Sequence, residues 1–254
     1  MAEPWRHVEE AMGTVFSFDI RGGRPSGVRE ALDAAVAELH RVDEVFSTYR
    51  EGSQVSRLAR GELTAADCDP EVGAVLALCG EAERLSGGWF SATYAGSVDP
   101  TGLVKGWATE HAARRIAEAG VEGVSVNGGG DAQLYGMPGR DRPWRIGVAD
   151  PLRSGRLAAV VSGSGEVAVA SSGTAERGRH IVDPHTGLAA ETDLAAVTVV
   201  GPSLTWADTW ATAAFAMGSE RALPWLESLD GMEALLILEN GAVRCTKGLG
   251  VYLR

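Results

Sequence analysis

Cysteine is scarce in this chain: three in 254 residues, Cys68, Cys79 and Cys245. An odd, scattered set without CxxC spacing argues against a disulfide framework or a cysteine-based zinc site, and it suits a reducing compartment in which free thiols act as small hydrophobes. Basic charge is also in deficit. Lys and Arg number 23 against 34 Asp and Glu, a formal net charge of −11. Nucleic-acid binding runs on neutralising phosphates, so no nucleic-acid partner is expected. Any phosphate-bearing ligand must be met locally, by a metal ion, a few basic residues or a helix N-terminus. No apolar run approaches the roughly 20 residues of a membrane span, so no membrane insertion is expected. The opening MAEPWRHVEEAMG has no basic region, apolar stretch or cleavage site of a signal peptide, and a cytoplasmic location is expected. GxxxxGKS/T, GxSxG and HExxH motifs are missing as well, which removes the usual support for P-loop, α/β-hydrolase and zincin chemistry.

What is present is ordinary globular composition, 45% hydrophobic and 22% charged. The length is enough to bury a core without staples. Met12 to Ile20 alternates apolar and polar residues and predicts a half-buried strand. Val28, Leu32, Val36, Leu39, Val42 and Phe46 follow helical spacing and predict a helix over 26–46. Asp69-Pro70 reads as an N-cap with Pro at the first helical position, opening a helix that Gly87-Gly88 ends. Further helices are expected over about 103–119, 204–217 and 220–228. Strands are expected over 121–127, 144–149, 157–162, 166–171, 179–182 and 195–201, and a hairpin around Asn240-Gly241. Helices first and strands later, with no linker or repeat, indicate a single α+β domain over 1–254 with mainly antiparallel sheet and packed helices.

Four segments could carry chemistry. Asp99-Pro100-Thr101-Gly102-Leu103-Val104-Lys105 is a tight turn feeding a helix with a lysine near its start. It is either an anion site with glycines that admit a ligand, or a capped helix with a solvated lysine. Asn127-Gly128-Gly129-Gly130-Asp131 follows a strand and allows close backbone approach, but it lacks the third glycine of a dinucleotide fingerprint. Arg179-His180-Ile181-Val182-Asp183-Pro184-His185 offers His180 as a general base or as a hydrogen-bonded strand histidine. Asp208 and Thr212 lie one helical turn apart on one face among apolar neighbours. Two oxygens so placed suit a hard cation such as Mg2+ with phosphates in its shell. The competing reading is an acidic residue serving the helix dipole.

Taken in order, Met12-Gly13-Thr14, Phe46–Tyr49, DPTGLVKGWA at 99–108, NGGGD at 127–131, Ser171-Ser172-Gly173, HIVDPHTG at 180–187 and ADTWAT at 207–212 resemble the ApbE family of FAD:protein FMN transferases. The resemblance spans about residues 12–250. It implies a T-fold-like α+β architecture with FAD in a cleft and Mg2+ at its diphosphate. It further implies that the carbonyl of Gly102, with Asp208 and Thr212, ligates Mg2+. Met12, Tyr49, Asp99, Lys105, Gly129, Gly130, Asp131, His180 and Ile181 would line the FAD site. The segment Trp89-Phe90-Ser91 would join them, with Ser91 where the family commonly has an aspartate. The implied reaction moves FMN to a Thr or Ser hydroxyl of an acceptor flavoprotein and releases AMP, with His180 or Asp183 accepting the proton. Hydrolysis of FAD to FMN and AMP, or FAD binding without chemistry, are the alternatives.

Overall fold

The computed structural model of the protein describes residues 3–93, 96–175, 178 and 181–253. In chain order the first strands are β1 (Trp5–Ala11), β2 (Thr14–Arg21), β3 (Gly123–Gly128), β4 (Asp131–Gly136), β5 (Trp144–Ala149) and β6 (Leu157–Gly163). They are followed by β7 (Val167–Gly173), β8 (Val182–Asp183), β9 (Leu188–Ala189), β10 (Leu194–Gly201), β11 (Glu233–Leu238) and β12 (Val243–Cys245). The helices are α1 (Pro25–Phe46), α2 (Gln54–Ala59), α3 (Pro70–Leu85), α4 (Thr101–Glu118), α5 (Leu204–Met217) and α6 (Ser219–Leu226).

Eight strands form one sheet in the order β1-β2-β3-β4-β7-β10-β11-β12, and every neighbouring pair is antiparallel. The expected α+β class with mainly antiparallel sheet is what the chain adopts. One face of the sheet is covered by helices. Phe16, Phe18 and Ile20 of β2 and Val124 and Val126 of β3 pack there with the buried stripe of α1, which includes Val28, Leu39 and Phe46. Burying side chains of this size contributes about 1.5–3 kcal/mol each. The opposite face is covered only in part. The β5–β6 hairpin lays Trp144, Val148 and Val161 over Leu134, Val167 and Val169, whereas Val8 and Val15 at the β1–β2 end stay exposed.

Several elements follow directly from local chemistry. Asp69 accepts a hydrogen bond from the backbone N–H of Glu71 at 3.1 Å, and Pro70 opens α3. Asp99 does the same for α4, taking the N–H of Thr101 at 3.0 Å and its hydroxyl at 2.6 Å, so that helix begins at Thr101 rather than at 103. The strand expected over Met12 to Ile20 is β2, which begins only at Thr14; the strand before it, β1, was not expected. Met12 and Gly13 have φ of 52° and 68° and form the tight turn between β1 and β2, as two-residue hairpins of this hand require. β1 escapes a reading by alternation because Arg6 and Glu10 share its outer face with Val8, and His7 and Glu9 its inner one. β4 was equally unmarked. Of the strand expected over 179–182, residues 179 and 180 lie outside the described residues, Ile181 is in no strand, and Val182 opens the two-residue β8.

Candidate functional site

The turns β1–β2 and β3–β4, the start of α4, the end of α1 and the neighbouring ends of β7 and β10 gather at one end of the sheet. With the β5–β6 hairpin they enclose a cleft of about 1670 Å³. That exceeds the roughly 300–1,000 Å³ of a typical small-ligand site.

Its floor is a knot of three charged side chains. Lys105 of α4 reaches Asp131, the first residue of β4, and Asp208 of α5, whose Oδ2 lies 2.9 Å from Nζ. Asp131 and Asp208 are both buried, so Lys105 is no solvated lysine. Burial presses the ammonium to give up its proton, but the facing Asp208 and Asp131 carboxylates outweigh it and hold the pKa above the ordinary lysine value. For Asp208, burial dominates the attraction of Lys105 and is joined by repulsion from Asp131, so its carboxyl titrates above the usual carboxylate range. Asp208 Oδ2 is buried and has no aligned hydrogen bond, despite the closeness of the ammonium.

The surroundings fix this knot. The second oxygen of Asp131 accepts the backbone N–H of Ser171 at 2.8 Å, tying β4 to β7. Ser171 Oγ meets Thr198 Oγ1 at 2.8 Å, and Ser172 Oγ meets Thr212 Oγ1 at 3.3 Å. Asp208 can come so near α4 because Gly106 has no side chain: a Cβ there would stand 2.6 Å from the Leu204 carbonyl and 2.9 Å from Asp208 Cβ. The glycines of this segment were expected to admit a ligand; Gly106 instead admits a helix. One turn further along α4, the buried Glu110 accepts from Ser203 Oγ at 2.6 Å, Thr205 N at 3.0 Å and Thr205 Oγ1 at 2.9 Å. Gln133 of β4 accepts the N–H of Leu204 at 2.9 Å and donates to the Pro202 carbonyl at 3.1 Å. The orphan amides at the start of α5 are thus satisfied by α4 and β4.

The cleft brings together most of the residues singled out in the sequence. Met12, Tyr49, Trp89, Phe90, Ser91, Asp99, Gly102, Lys105, Gly129, Gly130, Asp131, Ile181, Asp208 and Thr212 all line it. Tyr49 is 95% exposed at its mouth. Gly129 and Gly130, with φ of 63° and 100°, make the β3–β4 turn. His180 lies outside the described residues. Asp183 does not line the cleft. Its carboxylate instead receives the backbone N–H of His185 at 2.9 Å and meets that ring's Nδ1 at 3.0 Å, while the ring packs on Trp89 at 4.5 Å. Sequence reasoning missed Glu110 and Gln133 altogether. A glycine inside a helix, at 106, was the one legible hint of the close helix crossing.

Among the described residues no group of three or more His, Cys, Asp or Glu could hold a metal. A cation in this cleft would be met by fewer than three such side chains, supplemented by hydroxyl and carbonyl oxygens. Such a sparse, hard donor set suits an ion that shares its shell with phosphates and water, as Mg2+ does.

Fold and floor together define a class: an α+β protein whose sheet end holds a large polar cleft, floored by a lysine and two carboxylates next to a helix start. Known proteins narrow it. The ApbE family profile matches residues 12–99 and 95–236, and the chain belongs to that family. It is 29% identical over 153 residues to the FAD:protein FMN transferase of Salmonella typhimurium, covering 57% of this chain and 43% of that protein. Against the Vibrio cholerae protein of the same name it is 32% identical over 151 residues, covering 56% and 45%. These alignments span less than half the length of the curated relatives. The flavin transferase ApbE from Vibrio cholerae superposes with a TM-score of 0.83 at 22% identity over 100% of both chains. The ApbE protein from Thermotoga maritima gives 0.86 at 21% identity over 99% of this chain and 100% of the other. Those two structures share the fold.

Proposed function

We propose that the protein is a Mg2+-dependent FAD:protein FMN transferase that moves FMN from FAD to a Thr or Ser hydroxyl of an acceptor flavoprotein and releases AMP. The observation that carries this reading is the charged knot. One ammonium between two carboxylates leaves a net negative charge at the cleft floor, which by itself repels a diphosphate. A divalent cation inverts that sign. The buried Asp208 Oδ2, without an aligned hydrogen bond, is the oxygen it would take, with Thr212 and the carbonyl of Gly102 as further donors on the same cleft wall. The donors therefore fit Mg2+. Once bound, the ion supplies charge neutralisation on the phosphoryl oxygens and on the departing phosphate.

The chain's own residues do the rest. Lys105, at the cleft floor, would set its ammonium against the diphosphate. Thr101 and Gly102 put the start of α4 at the cleft, and helix starts favour anions. Met12, Tyr49, the Trp89–Ser91 segment and Ile181 hold the flavin and adenosine portions. The acceptor hydroxyl oxygen forms a bond to the FMN-side phosphorus, the bond from that phosphorus to the bridging oxygen breaks, and AMP departs with that oxygen. The hydroxyl proton passes to His180 or Asp183. Asp183 is engaged by His185 and does not itself line the cleft, although its neighbours Val182 and Pro184 do; His180 lies outside the described residues.

The test is direct. The protein is incubated with FAD, with and without Mg2+, and with candidate acceptor domains; acceptor mass and free AMP are followed. The expected result is an FMN-sized mass increase and stoichiometric AMP, both abolished by EDTA. AMP formed equally fast with no acceptor would identify a pyrophosphatase instead. Tight FAD binding that survives EDTA, with no AMP, would identify a non-catalytic flavin binder.

A further inference from the structure

The β5–β6 hairpin stands apart from the main sheet. β6 pairs with β5 on one side and bridges Leu253 through Val161 on the other. Among the described residues β5 has no strand on its second side. That free edge faces the cleft. A strand lining a cavity with one face would contribute alternate residues, because side chains alternate. Here the five consecutive residues 145–149 line it, and the lining continues into the hairpin tip. The backbone edge itself therefore forms the wall. Natural edges are guarded by charged side chains, lysine above all, by proline, by bulges or by a covering element. β5 has no lysine or proline and one charged residue, Arg145; its cleft side includes the small Gly147 and Ala149, and its register breaks only at the far end, between Val148 and Ala149.

Charge marks the same rail. The tip carboxylate, Asp150, is taken by Arg153 at 2.8 Å and by the N–H groups of Leu152 and Arg153. Arg145 and Arg156 are exposed, line the cleft at either end of the rail, and meet no carboxylate among the described residues. Two uncompensated cations in a chain of net charge −11 select a partner segment that carries carboxylates. The volume of the cleft leaves room for a polypeptide beside a dinucleotide. The six residues of β5 extend about 20 Å, enough to pair with a short extended stretch.

Resting on the transferase reading above, we propose that the free edge of β5 is where the acceptor docks: an extended, acidic segment of the acceptor protein adds to β5 as a further strand and so carries its hydroxyl into the cleft. Main-chain pairing supplies affinity, as in other strand-addition complexes, and Arg145 and Arg156 supply selection.

Hydrogen exchange of the whole protein tests this with two short synthetic peptides, one threonine flanked by aspartates and its counterpart flanked by lysines. The acidic peptide is expected to slow exchange at the amides of 144–149, and the lysine peptide is not. The protection is expected to vanish in Arg145→Glu/Arg156→Glu and to survive in Arg145→Lys/Arg156→Lys. With an acceptor protein, the charge-reversed variant is expected to raise KM for the acceptor about tenfold with kcat held, the loss of two exposed ion pairs. No protection at 144–149, equal protection by both peptides, or undiminished protection in the charge-reversed variant overturns the proposal. If the acidic peptide protects 144–149 while no FMN leaves FAD, the docking edge stands and the transferase reading falls. If FMN is transferred while exchange at 144–149 is unchanged, the docking edge alone falls.

Discussion

The two walls of the cleft solve opposite problems. On the inner wall α4 and α5 press together at Gly106, and the polar groups near the crossing are answered, save Asp208 Oδ2: Glu110 takes three donors from the start of α5, Gln133 bridges it to β4, and Lys105 stands against both carboxylates. On the outer wall, among the described residues, the β5–β6 hairpin leaves a strand edge unpaired and two arginines that meet no carboxylate. The inner wall is over-determined, which is how a charge constellation is held in place for a small, defined ligand. The outer wall is under-satisfied, which is how a surface is kept ready for a larger one.

The contrast can be broken at three points. Asp208→Asn should have the largest effect: it removes the carboxylate for the cation, so FMN transfer should fall by at least about 100-fold. The same variant sharpens the electrostatics. Because the Asp208 carboxyl titrates above its ordinary value, the native protein holds a proton that the unfolded chain has lost. Its contribution to stability is full below the ordinary carboxylate pKa and disappears as pH rises through the raised one. Melting temperature across that acidic window should therefore slope in the metal-free parent and flatten in Asp208→Asn; identical slopes would refute the assignment. Next, Gly106→Ala should cost about 1–3 kcal/mol through overpacking against the Leu204 carbonyl, read as a lowered urea midpoint at constant m-value. The smallest effect should come from the other wall. Arg145→Ala should change stability by no more than about 0.5 kcal/mol; a larger loss would mean that the hairpin arginine supports the fold.

Much of this was legible before any coordinates. Helices with a one-sided apolar stripe, such as α1, and caps such as Asp69 are local signals, and they appear where the residues place them. The pair Asp208–Thr212 was readable because both belong to one helix face. The partners of Lys105 were not, since Asp131 and Asp208 follow it by 26 and 103 positions and only sheet topology unites them. β1 was hidden because this edge strand puts His7 and Glu9 on its half-buried inner face and Val8 on its exposed one, which erases the alternation such a strand otherwise shows. Glu110 gave no signal, for in sequence it is indistinguishable from a solvated acid on an exposed helix.

The order of the strands has a kinetic implication. β4 finds its neighbour β7 only after the β5–β6 excursion, and β7 is in turn closed by β10, just ahead of α5. A nascent chain that has formed the β3–β4 hairpin already contains Lys105 and Asp131, yet lacks the helix that completes the trio. Pairings of such long sequence separation form slowly because loop closure must precede their reward. The cleft is therefore among the last features to mature, and a ligand retained there certifies, and by mass action favours, the finished molecule.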